Sequence, residues 1–183
     1  MQIEADTLPM PAITTRVLSR AEAQATQPRL AELLQDAVDN GASVGYLAPL
    51  SATDAAGYWA PLIAGLDPAQ RRLLVAEIGG TIAGTVQLAL ETRPNGNHRA
   101  EVAKLLVHTE YRRRGVATAL MAALEQEARA AGRTLLVLDT QSGEPAEALY
   151  FALGYVLTGS VPGYARNPDG RLAPTSFMYK VLE

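Results

Sequence analysis

The stretch EYRRRGVATAL, Glu110 to Leu120, runs three consecutive arginines into a glycine and then into a helical pattern. Just before it, RAEVAKLLV (99–107) reads as a strand, so the arginines occupy a strand–loop–helix junction. A helix starting around Arg113 would leave its first N–H groups unpaired, at the positive end of its dipole. Gly115 and Ala117 carry little or no side chain, so an anion can approach the backbone closely. Arg112, Arg113 and Arg114 add forked donors suited to phosphate, with Val116 and Thr118 completing the turn. Neither the dinucleotide fingerprint G-x-G-x-x-G nor the P-loop pattern is present. A solvated helix end and a basic patch for nucleic acid are the competing readings.

The whole chain weighs against nucleic acid. Its 16 basic and 19 acidic residues give a net charge of −3 and a pI near 5.5. Binding driven by counterion release needs many clustered cations, and no aromatic run accompanies the arginines. The 183 residues suit a single domain, 1–183, behind a proline-bearing leader over 1–12. There is no cysteine, which removes thiolate chemistry and fits a reducing compartment, so the cytoplasm is expected. His98 and His108 alone offer little for a metal centre, and no apolar run suggests a membrane span.

Working outward from the arginines, AITTRV reads as a first strand and PRLAELLQDAVDNG, from Pro28, as a helix. SATDAAGYWAPLIAGL gives a second helix, capped by Ser51 or Thr53. RRLLVAEIGGTIAGTVQLALE is a hairpin turning at Gly79-Gly80. The helix after the arginines puts Val116, Leu120, Ala123 and Leu124 inward and Glu125, Gln126 and Arg129 outward. RTLLVLDT is an almost continuously apolar strand, EPAEALYFALG a helix, and the tail two more strands around a PDG turn. The order implies a mixed α/β domain, one sheet of about six to seven strands with helices on both faces.

The spacing Arg112-x-x-Gly115-x-Ala117 after a strand resembles the pyrophosphate loop of the GNAT superfamily of acyl-CoA-dependent N-acyltransferases. Downstream, Tyr150 followed by Gly154-Tyr155 matches that family's second motif. The resemblance implies a mostly antiparallel, twisted sheet whose splayed central strands form the acyl-CoA channel. It also implies acetyl-CoA as co-substrate and no metal. Leu105, Leu106 and Val107 would run beside pantetheine and offer an N–H to the oxyanion. Residues Arg112 to Thr118 would hold the pyrophosphate, and Tyr150 would protonate the leaving thiolate. Where many members carry an asparagine in the loop before that helix, this chain has Gly143, with Ser142 beside it as the candidate replacement.

The chemistry needs a base, because only ~0.1% of an alkyl amine of pKa near 10 is unprotonated at pH 7. Glu101 and Asp139 compete for that role. The stretches NGASVGYL, PNGNHRAEVAKLLV, LDTQSGEPAEALY and PGYARNPDGRLAPT resemble the tabtoxin-resistance branch of the superfamily, which acetylates the amine of an amino-acid-like toxin. That resemblance favours Asp139 as base and Tyr150 as acid. NGASVGYL and PGYARNPDG, as loops on a rigid scaffold, are the expected acceptor walls, with Gly45, Tyr46 and Tyr164 lining the pocket beside Glu101 and Asp139. The implied acceptor is a small-molecule amine. The alternatives are a peptide or protein N-acetyltransferase and a non-catalytic acyl-CoA sensor. Monomer and homodimer both remain open.

Overall fold

The computed structural model describes residues 12–183; apart from Ala12, the leader expected over 1–12 lies outside the described residues. The elements are β1 (Ile13–Val17), α1 (Arg20–Asp39), α2 (Ala52–Ala64), β2 (Arg71–Ile78), β3 (Thr81–Leu90), β4 (Arg99–Val107), a 3-10 turn (Thr109–Tyr111), α3 (Val116–Ala130), β5 (Leu135–Gln141), α4 (Pro145–Ala152), β6 (Val156–Arg166) and β7 (Leu172–Val181). They build one seven-stranded sheet in the order β1-β2-β3-β4-β5-β7-β6. Every pair is antiparallel except β4 with β5. That exception has a cause: a parallel neighbour needs a long crossover, and α3 supplies it. The mixed, mostly antiparallel sheet expected from the sequence is the one found.

Alternate residues of β2 divide between two cores. Leu73 and Val75 join Leu30, Leu33, Leu34 and Trp59 under α1 and α2, while Leu74 and Ala76 join Leu120, Met121 and Leu124 under α3. Side chains this deeply buried contribute about 1.5–3 kcal/mol each. Between β2 and β3, Gly79 and Gly80 turn with φ of 58° and 79°, the doubly left-handed geometry of a two-residue hairpin.

Two helix boundaries differ from expectation. α1 starts at Arg20, not Pro28, because Ser19 and Glu22 form a reciprocal capping box, the Glu22 carboxylate accepting the Ser19 N–H at 2.8 Å. Pro28 therefore lies inside the helix, its cost offset by the buried leucines beyond it. α3 starts at Val116 rather than Arg113, since Arg113 and Gly115 take left-handed φ values of 61° and 86°. Glu125, expected outward, is buried, and its carboxylate accepts from Lys180 Nζ at 2.7 Å, tying α3 to β7. Lys180 also donates to the Leu153 carbonyl at the end of α4.

α3 sits on β3 at a point where only glycine fits. A Cβ on Gly84 would stand 2.7 Å from the Leu106 carbonyl oxygen and 3.0 Å from Val116 Cγ1. Gly84→Ala should lower stability by about 1–3 kcal/mol in urea unfolding. An unchanged midpoint would mean that α3 is not seated this closely.

Candidate active site

Strands β4 and β5 pair over only three rungs, Arg99 with Leu135, Ala100 with Leu136 and Glu101 with Val137. Beyond them β5 stays with β7 as far as Gln141, and β4 stays with β3 as far as Val107. The β5-facing edge of β4 is therefore unpaired from Val102 onward. A bulge lies in this stretch: Gln87 faces Ala103 and Thr85 faces Leu106, so Val86 stands opposite both Lys104 and Leu105. Lys104 adopts φ 51°, and such an insertion bends and twists its strand.

The turn leaving β4 is fixed from α1. The Asp36 carboxylate accepts the Thr109 N–H and the Thr109 hydroxyl, each at 2.8 Å. After the 3-10 turn, Arg113 and Gly115 bring the chain into α3 with no side chain capping it. The first bond of the helix runs from the Ala119 N–H to the Gly115 carbonyl, so the N–H groups from Gly115 to Thr118 have no partner within it. Two of the three arginines have local partners. Arg112 Nε donates to the Val107 carbonyl at 3.2 Å, and the Arg114 guanidinium stands 5.6 Å from the Tyr111 ring centre.

Asp139 and Glu101 share the sheet face that carries α1 and α2, because the register sets Glu101 beside Val137, two residues before Asp139. Both are exposed to the cleft. Tyr150, on α4, is buried against Tyr155 with ring centres 5.6 Å apart. Burial first, then the Asp139 charge, push its phenol up to about 12. The Tyr155 phenol is raised further, chiefly by burial and next by Glu125.

The loop into α4 is held by serines. The Ser142 hydroxyl bonds those of Ser160 and Ser176, while Glu147 accepts from the Gly143 N–H and from Ser176. Ser142 is thus already engaged within the protein. Gly45 and Tyr46 reach the same face from the α1–α2 loop. Tyr164 stands edge-on to Phe177, 5.4 Å away, and Phe177 is the register partner of Asp139 on β7.

Sequence reasoning missed four residues here. Lys104 was read as an ordinary strand position, yet its Nζ lies 5.7 Å over the Tyr58 ring, among Asp139, Glu101 and Arg71. Tyr58 is held in turn: Gln87 Nε2 donates to its hydroxyl at 2.9 Å, and Arg71 donates to Gln87 Oε1 at 2.6 Å. The only available signal was a lysine interrupting AEVAKLLV, which alternation alone does not decode. Tyr46 and Tyr58 also border a concavity of about 630 Å³ toward Leu50 and Asp54. Among the described residues, no cluster of three or more histidine or acidic side chains is arranged for a metal, and no helix is long and apolar enough to cross a membrane.

The profile of the Acetyltransferase (GNAT) family matches residues 47–155. The chain belongs to the GNAT acetyltransferase family. The match takes in the β4–β5 opening, the arginine loop and Tyr150, but not Gly45, Tyr46 or Tyr164. An uncharacterized N-acetyltransferase from the hisH-hisA intergenic region of Azospirillum brasilense is 34% identical over 121 residues, 63% of this chain and 70% of that protein. N-acetyltransferase 8 of Rattus norvegicus is 39% identical over 89 residues, 46% of this chain but only 39% of the rat protein. Among solved structures, a GNAT superfamily phosphinothricin acetyltransferase (Pat) from Sinorhizobium meliloti in complex with AcCoA superposes with a TM-score of 0.73. It is 22% identical, over 93% of this chain and 88% of that one, a likeness of fold.

Among the described residues Asp36 makes the only hydrogen bonds from α1 to Thr109, so Asp36→Ala should cost about 1–3 kcal/mol in denaturant unfolding. It should also remove hydrogen-exchange protection at the Thr109 amide. Retained protection would show that the turn is held by something else.

Proposed function

We propose that this GNAT protein is an acetyl-CoA-dependent N-acetyltransferase that acetylates the primary amine of a small molecule by direct attack in a ternary complex. The observation that carries the reading is the gap between β4 and β5, opening directly into the uncapped start of α3, with Asp139 and Tyr150 beside it.

Both features suit the co-substrate. An unpaired strand edge accepts an extended, amide-bearing chain by backbone hydrogen bonds, which fits pantetheine along Leu105 to Val107. Bare helix N–H groups flanked by arginines fit a pyrophosphate at Arg112 to Thr118. Acetyl-CoA supplies the thioester carbonyl that the amine attacks.

The protein's own groups do the rest. Asp139 takes the proton that the acceptor amine loses, directly or through water. A backbone N–H near Leu105 faces the charge developing on the carbonyl oxygen. Tyr150 gives its proton to the departing sulfur. Asp139 stands ahead of Glu101 as base because it lies past the last β4–β5 pair, where the strands part, while Glu101 lies within the paired stretch. The resemblance to the tabtoxin-resistance branch supports the same pair, and an amino-acid-like toxin or antibiotic as acceptor. Ser142, already bonded to two serines, is a weaker candidate for CoA than the arginine loop.

Thiol release from acetyl-CoA over a panel of amines tests the reading. Asp139→Asn should lower kcat/KM by about 10²–10⁴-fold, and Glu101→Gln by much less. No turnover with any amine, despite tight acetyl-CoA binding, would favour an acyl-CoA sensor.

The pH profile carries a separate expectation. A phenol raised to about 12 stays protonated across the working range, so the rate should climb with pH as free amine accumulates. No alkaline limb should appear below about pH 10, the ordinary tyrosine value. A limb near pH 8–9 that vanishes in Tyr150→Phe would show that the phenol titrates far lower and is not held as argued.

A further inference from the structure

Lys104 presents a problem that the catalytic reading leaves unsolved. It is half-buried, yet among the described residues its ammonium makes no hydrogen bond and no ion pair within 4.0 Å. Its nearest compensation is the Tyr58 ring, a cation–π contact too weak to replace lost hydration. Burial lowers its pKa, while the Asp139 and Glu101 carboxylates raise it and Arg71 lowers it again. Those carboxylates thus act on Lys104 through space without closing on it, which leaves room between the charges.

The position is built rather than incidental. The bulge carries Lys104 to the same sheet face as Ala103 and aims it across to α2, with φ in the left-handed region. Tyr58 beneath it is locked by the Gln87 and Arg71 bonds. Opposite, Gly45 of the α1–α2 loop borders the ammonium; a Cβ there would be in ordinary contact with Nζ at 3.8 Å. The face therefore holds two anions, Asp139 and Glu101, beside two cations, Lys104 and Arg71.

We infer that Lys104 is the carboxylate anchor of the acceptor site, and that the acceptor is an amino acid or close analogue bearing a carboxylate a few bonds from the amine it presents to Asp139. This rests on the N-acetyltransferase reading and its amino-acid-like acceptor, and adds the residue that selects it. A zwitterion complements the face at both ends: its carboxylate completes the coordination of Lys104, with Arg71 adding attraction, while its amine meets the acidic pair. An alkylamine leaves the ammonium unpaired when it fills the cleft, and an internal residue of a peptide brings no carboxylate to it. A charged donor without its partner in a desolvated site is penalised, which turns the lysine into a selectivity filter.

The test uses the full chain, acetyl-CoA and three acceptor sets: the twenty L-amino acids, their α-carboxamides and simple alkylamines. For whichever side chain is used, the free acid should exceed its amide by at least ~10-fold in kcat/KM, mostly through KM. Lys104→Met should lower kcat/KM on the acid by about 30–100-fold, much more than on the amide, and so collapse the preference, while Lys104→Arg should retain much of it. Equal use of acids, amides and alkylamines by the wild-type protein would overturn the carboxylate anchor and leave the N-acetyltransferase reading standing. A preference that survives Lys104→Met would likewise overturn it. No turnover in any set would remove both.

Discussion

Parallel strands β4 and β5 hold together over three residue pairs and then part, and the rest of the molecule is arranged around that parting. β4 keeps its hydrogen bonds to β3, β5 keeps its own to β7, and each strand stays satisfied on one side only. An unpaired edge inside a sheet is costly when buried, so the gap must face water or a ligand. The bulge at Lys104 curls the outer half of β4, and the Asp36–Thr109 bonds fix where that strand ends. Gly84 then lets α3 approach closely enough for its uncapped start to lie at the mouth of the same gap. Bulge, turn and close helix packing thus act on one piece of backbone.

Charge follows the same geometry. The strand alternation that buries Leu73 and Val75 under α1 and α2 also brings Arg71, Gln87, Glu101 and Asp139 to that face. Where the helices cover it, the side chains are apolar; where the sheet splits, they become ionic. Tyr150 approaches from the opposite core and is buried there, which raises its phenol and keeps its proton in place. A carboxylate open to solvent and a phenol held protonated make the asymmetric pair that the proposed base and acid require.

Much of this was legible in the sequence. The order of elements, the glycine hairpin and the strand–arginine–helix junction are local patterns, written in periodicity and turn chemistry. The misreadings were also local, but decided by tertiary contacts. Pro28 looked like a helix start because the helical spacing of leucines begins just after it, yet the capping box upstream and three buried leucines hold the helix through it. Arg113 looked helical, and only its φ of 61° shows that the loop continues for another turn. Glu125 looked exposed because its partner, Lys180, lies at the far end of the chain. Lys104 was hidden most completely, since a bulge leaves no mark in an alternating strand and its neighbours come from α2, β2 and β5.

The span matched by the family, residues 47–155, contains the opening, the arginine loop and the proposed acid and base, while Gly45, Tyr46 and Tyr164 fall outside it. Such a division is expected if the shared machinery handles the acyl donor and the flanking loops choose the acceptor. Lys104 crosses that division. It belongs to the shared strand by position, but its ammonium reaches Tyr58 and approaches Gly45, in the part of the cleft formed by the α1–α2 loop. Acceptor choice on this reading is not confined to loops. On the proposed function, the strand that offers its unpaired edge to the donor also turns Lys104 toward the acceptor, so a substitution there should act on acceptor selection before it acts on the fold.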